Sequence, residues 1–461
     1  MRAMTQAIRH RSQNAIAPAA GVSDGYWDRT HWVVIAMIGV LAVRIHELVP
    51  VTGYLRPALL VSFGGLFLVL RRTDHALIKP ALDTPLAKLV LGFFIWCALT
   101  IPTALWKAQA LESLQALLPA ILMFVTILLC RPDARVLDRI MVGWVAALGI
   151  FTAMGQVMGV VNRGRLRFGG MYDSNDIAAL LAMGFPIALG LALRTRGRDR
   201  TIAIIGTLLI VATLVATGSR GGAVGFLAGA AAFAFASRGS RKAIVMVILA
   251  CVVAGAWVMS EQTFRNRMIS LTNLEYDYNT TSEVGRKAIW TRGWQYTLQR
   301  PVFGVGMGNF PMAEGDWFTV QDRRNKWSTA HNSYIQASSE TGFPGALIFI
   351  AMLLTAFGVA WRVRSRGIVD GRRIIHTPEL VGALAAYAVT AYFLSHAYFN
   401  PVYALLAIIA FASRVQNTSF AVPAPQRSHV VAAPPEIAGR SGERGGLVYS
   451  RSRLGPPQTI R

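Results

Sequence analysis

Cysteine is almost missing from this chain. The three present, Cys97, Cys130 and Cys251, fall in or beside apolar runs, which excludes a disulfide framework and any zinc site built on thiolates. Acidic residues are scarce too, with 23 Asp and Glu against 46 Lys and Arg in 461 positions. Charged residues of both signs make up only 15% of the chain, and 54% is hydrophobic. A soluble domain needs more charge than this to keep its surface wet. No HExxH, paired CxxC or P-loop occurs, and Gly304-Val-Gly-Met-Gly-Asn309 lacks the preceding strand of a dinucleotide site. The outer loops carry no DxD-type carboxylate pair, so no metal site is expected.

What is present is a series of long uncharged stretches. Residues 141–162, 201–219, 243–260 and 341–361 contain no Asp, Glu, Lys or Arg. At about 1.5 Å per residue each reaches across a hydrocarbon core of roughly 30 Å. In lipid they must be helical, because no water is there to satisfy the backbone. The expectation is an all-α polytopic membrane protein of about twelve transmembrane helices. Its spans fall near 32–48, 54–70, 86–105, 112–129, 140–161, 175–193, 201–217, 221–236, 243–259, 343–361, 380–396 and 400–413. The polar, basic first thirty residues show no cleavable signal peptide, and the first span reads as a retained anchor.

Basic residues divide unevenly between alternate loops. One set holds Arg71, Arg72, Lys79, Arg131, Arg135 and Arg139, with further clusters at 194–200, 238–242 and 362–373. The other holds only Arg56, Lys107, Arg163, Arg165, Arg167 and Arg220. The positive-inside rule places the first set and both termini in the cytoplasm of a bacterial inner membrane. The same bias accounts for most of the net charge of +23, as an orientation signal that attracts anionic membrane lipids; nucleic acid is not an expected partner. The expected organisation is a cytoplasmic segment at 1–30, a bundle of about nine spans at 31–259, a mainly helical periplasmic loop subdomain at 260–342, about three further spans at 343–414, and a disordered cytoplasmic tail at 415–461.

Within the long loop, Thr280-Thr-Ser-Glu283 has the spacing of a capping box. Arg286, Trp290, Trp294 and Leu298 follow at i, i+4, which predicts a helix whose aromatic stripe packs on the bundle. Pro301 stops it, a glycine-rich connection follows, and a second short helix is expected from near Thr329 to 342–344.

Arginine on the outer side runs against the insertion bias. Arg163, Arg165 and Arg167 share one short outer loop, and Arg220 lies in Thr217-Gly-Ser-Arg-Gly-Gly222. With Arg286 and Arg292 from the long loop they suit a phosphate or diphosphate, since the planar guanidinium binds such oxygens bidentately. The bland alternative is that they snorkel toward lipid phosphates. His331 opens a polar helix running into a span and can take a proton near neutral pH, which suits a general base; the alternative is a hydrogen-bonding or capping histidine. His396 reads as structural, and Asn175 and Asp176 as caps of the sixth span.

Taken in order, Thr217-Gly-Ser-Arg-Gly-Gly222, the loop with Arg286 and Trp290, Pro301-x-x-Gly-x-Gly-x-Gly-Asn-Phe310, and His331-Asn-x-Tyr…Glu340-x-Gly-x-x-Gly345 resemble the O-antigen ligase superfamily. That superfamily includes Wzy-type polysaccharide polymerases and protein O-oligosaccharyltransferases. The resemblance implies a GT-C-like, metal-independent glycosyltransferase without a cofactor. It would move a glycan whole from undecaprenyl diphosphate to a hydroxyl of lipid A-core, another glycan or a protein, with inversion. Carried over by position, Arg220 and Arg286 would hold the diphosphate and His331 would deprotonate the acceptor. Arg163, Arg165, Arg167, Arg292, Asn332 and Tyr334 would line the substrate site. The competing class is a transporter or flippase, for which Arg44, His46 and Glu47 in the first span speak.

Overall fold

The structure is a computed structural model. It describes residues 30–44, 57–162, 164–168, 172–259, 262–269, 281–321, 327–365 and 377–421. Arg163, His46, Glu47, Thr280 and the terminal segments at 1–29 and 422–461 lie outside the described residues.

Nearly all of it is helix. In chain order these are α1 Thr30–Met37, α2 Pro57–Leu70, α3 His75–Leu82, α4 Pro85–Leu99, α5 Lys107–Leu129 and α6 Ala134–Met158. A hairpin of β1 Val160–Asn162 and β2 Arg165–Arg167 follows. Then come α7 Ser174–Arg194, α8 Gly197–Thr217, α9 Arg220–Ala236, α10 Ser240–Met259, α11 Gln262–Ile269, α12 Arg286–Gln299, α13 Phe310–Val320, α14 Ser333–Ser365, α15 Pro378–Thr390 and α16 Asn400–Ala421. Each of the twelve apolar segments contains a helix. Among the described residues, six helices are long and apolar enough to cross a membrane, and four shorter ones are apolar over 10–17 residues. Outward faces are apolar as well: Leu60, Phe63 and Phe67 on α2, and Leu347, Ile350 and Leu354 on α14, are exposed, as lipid-facing positions are.

The centre of the bundle is α7, buried along almost its whole length and wrapped by α8, α9 and α15. Backbones of α9 and α15 meet at small residues: a Cβ on Gly229 would stand 2.7 Å from the Ala386 Cβ and 2.9 Å from the Gly382 carbonyl oxygen. Such small-residue contacts let helices approach closely where no hydrophobic effect drives them together. At the end of α7 marked by Arg194, that arginine pairs with Asp138 of α6 and, at 3.0 Å, with Glu379 of α15. The opposite end, marked by Ser174, carries α12 and α13 and is the loop-bearing end.

Several elements depart from the sequence expectation. The first helix tightens into a π-turn at Ile38–Ala42 and stops there, because Asn400 and the Tyr172 hydroxyl take the Leu41 and Ala42 carbonyls. The eleventh segment is helical only to Thr390, not 396; Ser333 binds the Ala391 carbonyl and draws the chain into a loop. Helix α12 starts at Arg286, capped by Gly285 with no side-chain cap bond, so the expected capping box does not begin it. Helix α13 has no counterpart in the sequence expectation. The short helix expected before the tenth span is continuous with it as α14, broken only at Gly342.

That break fixes the glycine-rich connection. Gly342 has φ 68° and ψ −175°, a region essentially restricted to glycine. Phe343 N–H donates to the Pro301 carbonyl at 2.8 Å, and a Cβ on Gly342 would stand 2.2 Å from the Val302 oxygen. Glu340, fully buried, accepts the Gly308 and Phe310 amides at 2.9 and 3.2 Å. The Glu340-x-Gly element is therefore a clamp on the 301–310 turn. Gly342→Ala is expected to destabilise the fold by roughly 1–3 kcal/mol from backbone strain alone. A thermal melt in detergent reads it, and an unchanged midpoint would contradict the packing described.

Candidate active site at the loop-bearing end

The residues from 391 to 399, joining α15 to α16, form a hub onto which the candidate residues converge. Each contact comes from a different segment.

Arg220 heads α9. The preceding Ser219 caps that helix by accepting the Gly222 N–H at 3.1 Å, and an added Cβ on Gly221 would meet Phe393 of the hub at 3.1 Å. The turn is buttressed by Arg165 on β2. Its Nε donates to the Thr217 carbonyl at 3.0 Å and its guanidinium to Asn175 Oδ1 at 2.8 Å, which also accepts from Ser219 Oγ at 2.9 Å. Alternation along β2 buries Leu166 and leaves Arg167 exposed. Of the outer-loop trio, Arg165 thus serves as a brace for the Arg220 turn and Arg167 faces outward.

Arg286 begins α12. One turn on, and on the same helix face, Trp290 donates its indole N–H to the Ala330 carbonyl at 3.1 Å. Its ring meets Tyr392 of the hub edge-on, centroids 5.0 Å apart. Trp294 continues the stripe against Phe343. Only Trp290 of the expected stripe packs on the hub: Trp294 and Leu298 are exposed, and the buried face of α12 is instead Ile289, Arg292, Gly293, Tyr296 and Thr297.

His331 and Arg44 are the non-glycine residues at positive φ among the described residues, at 49° and 57°. Such conformations cost energy and collect at functional sites. His331 is half-buried, and its N–H donates to Ser395 Oγ of the hub at 2.8 Å. The neighbouring Asn332 is the N-cap of α14, its Oδ1 accepting from Tyr334 and Ile335 at 2.9 and 3.1 Å. The Tyr334 hydroxyl donates to the Ala388 carbonyl at 2.9 Å. Both side chains hold α14 in place rather than pointing free.

Arg292 stands apart from this group. Its Nε and Nη2 bind Glu314 Oε1 and Oε2 at 2.8 and 2.6 Å, and Nη1 donates to the Glu283 carbonyl at 3.0 Å. Trp317 lies under the guanidinium at 4.5 Å. Burial opposes the charge, but Glu314 outweighs it and holds Arg292 above its usual pKa. Burial, then the Glu314 charge, pushes the Tyr296 hydroxyl up, so it stays a neutral donor to Glu314 at 2.9 Å. This geometry gives Arg292 the task of joining α12 to α13.

Sequence reasoning undervalued one pair. His396 Nε2 lies 2.8 Å from Asp176 Oδ1, and its ring stacks on Phe399 at 4.0 Å. Asp176 completes a capping box with Asp173 at the start of α7. Arg44, set over the Tyr172 ring at 4.9 Å, follows the π-turn near the same end. The available signal was a Ser-His pair at the end of an apolar run, where a buried polar group needs partners. Among the described residues, no group of three or more His, Cys, Asp or Glu side chains is placed to hold a metal ion.

A helical, multi-pass membrane protein with guanidinium groups and imidazoles gathered around one inter-helix loop is the class these features define. Residues 205–350 match the family model Wzy_C, O-antigen ligase, which supports a place for that segment in the O-antigen ligase superfamily. The match runs from within α8 into α14 and takes in Arg220, Arg286 and His331. It supports ligase- or polymerase-type activity on glycans in general. No curated protein matches the chain.

Proposed function

We propose that this protein is an inner-membrane glycosyltransferase that moves a glycan whole from undecaprenyl diphosphate to an acceptor hydroxyl at the periplasmic face. In this reading the chain crosses the membrane about twelve times with both termini in the cytoplasm, and 260–342 is the periplasmic loop. One observation carries it above the others: Arg220, Arg286 and His331, distant in sequence, are borne by segments that all pack on the 391–399 loop, through Phe393, Tyr392 and Ser395.

The chemistry follows from those groups. Arg220 and Arg286 grip the diphosphate, helped by the partial positive charge of the helix N-termini they occupy. The acceptor oxygen attacks the anomeric carbon from the side opposite the diphosphate. His331 takes the hydroxyl proton as the new C–O bond forms. The bond to the diphosphate breaks, and undecaprenyl diphosphate departs with the electron pair, inverting the anomeric centre. The two arginines offset the charge that develops on it.

Proteoliposomes supplied with labelled lipid-linked glycan and an acceptor are the test. Product is expected, in excess EDTA as well as without it. Loss of transfer in EDTA, restored by magnesium or manganese, would remove the metal-free mechanism. Solute counterflow with no transfer would make the protein a transporter. In a deletion strain, long-chain polymer left on the lipid carrier would mark a ligase, and single-repeat products a polymerase.

A further inference from the structure

The hub loop holds more tightly to the start of α14 than packing alone requires. Ser333 N–H donates to the Ala391 carbonyl at 2.7 Å, and Ser333 Oγ donates to the Leu394 carbonyl at 2.7 Å. Ser333 Oγ also accepts the His396 N–H at 2.8 Å. In return Ser395 Oγ accepts the His331 N–H at 2.8 Å. Gln336 Oε1 accepts the Ala397 N–H at 3.2 Å. Two serines, one on each segment, thus bind the backbone amide of the histidine on the other.

The exchange matters because of where His331 stands. It precedes α14, so its N–H has no carbonyl of that helix to bind, and its φ of 49° lies in the left-handed region, disfavoured for a residue with a Cβ. An acceptor that fixes the N–H direction fixes the peptide plane leading into His331, and with it the backbone position from which the ring projects. The loop presenting that acceptor is itself anchored: His396 pairs with Asp176 at the start of α7, and Tyr387 donates its hydroxyl to the His396 carbonyl at 2.9 Å. Ser395, His396 and Asp176 all lie outside the matched residues 205–350.

We propose that Ser395 is a positioning residue of the transfer site, holding His331 in its left-handed conformation from a loop locked in place by the Asp176–His396 pair. The inference rests on the assignment of His331 to proton removal. Ser395 touches neither donor nor acceptor and acts through the histidine backbone.

The test uses the full-length protein in liposomes. Loss of one hydrogen bond in Ser395→Ala is expected to lower kcat about 3–10-fold. The donor KM should not move, and the melting temperature should fall by no more than about 4 °C. Ser395→Thr, which keeps the acceptor oxygen, should return kcat to within about 2-fold of the native value. A residue acting only through His331 is also non-additive with it, so Ser395→Ala should cost nothing further on the residual turnover of His331→Asn. A loss of the same size in both backgrounds would overturn the positioning role and leave the His331 assignment standing. A Ser395→Ala protein with raised KM and a larger fall in melting temperature would make Ser395 merely structural. His331→Asn at native turnover would end both assignments, and that outcome is visible without any Ser395 variant.

Discussion

His331→Asn is expected to lower turnover of glycan transfer by roughly 10²–10⁴-fold, the usual range for a positioned general base, while donor affinity stays nearly intact. Asparagine is the informative replacement because it tolerates the left-handed backbone, whereas alanine would add strain at φ 49° and confuse chemistry with folding. Arg220→Ala and Arg286→Ala should behave differently, weakening donor binding and slowing turnover together, since the diphosphate is present in both ground and transition states. Arg→Lys at either position should rescue only in part, because an ammonium cannot reproduce the bidentate fork. Binding of a non-reactive donor analogue, measured beside turnover, separates the two behaviours. A His331→Asn protein that loses donor binding as badly as Arg220→Ala would make the histidine a diphosphate ligand. One that turns over at the native rate would remove it from the mechanism.

The second large effect is expected on the fold of the loop. Glu314 is fully buried and Arg292 is 5% exposed, so removing one partner leaves an uncompensated charge in a dry site. Glu314→Ala should destabilise this region by about 3–5 kcal/mol, the range for breaking one partner of a buried ion pair. The apolar double replacement Arg292→Met with Glu314→Leu should recover most of that, because it removes both charges. Protease cleavage within 281–321 in liposome-embedded protein reads the difference. If the single variant resists protease like the native protein, the pair is not what joins α12 to α13. Were Arg292 a ligand of the donor instead, Arg292→Lys would chiefly raise the donor KM and leave protease resistance unchanged.

Much of this was legible in the chain. Uncharged runs near twenty residues long dictate helices in lipid, because the backbone has no other partner there, and each apolar segment does carry a helix. The i, i+4 stripe from Arg286 to Leu298 gave the helix α12, since helix periodicity is local, but not its inward face, which is Ile289, Arg292, Gly293, Tyr296 and Thr297. Pattern could not give the place where the eleventh segment stops being helical. Residues 391–396 are apolar enough to continue the helix; what ends it is Ser333, nearly sixty positions earlier, taking the Ala391 and Leu394 carbonyls. For the same reason the Asp176–His396 pair was invisible, as its members are 220 positions apart.

The arginines show the same division most plainly. By itself the sequence determined that guanidinium groups collect on the sparsely charged side of the bundle, because insertion bias makes a cation there conspicuous. It could not rank them, since one side chain looks like another until its neighbours are known. Tertiary structure spent Arg292 on Glu314 and Arg165 on the Thr217–Ser219 turn, and set Arg220 and Arg286 at the heads of helices that abut one loop. The physical reason is that a buried guanidinium must find acceptors. Which ones it finds depends on long-range packing that no local pattern encodes.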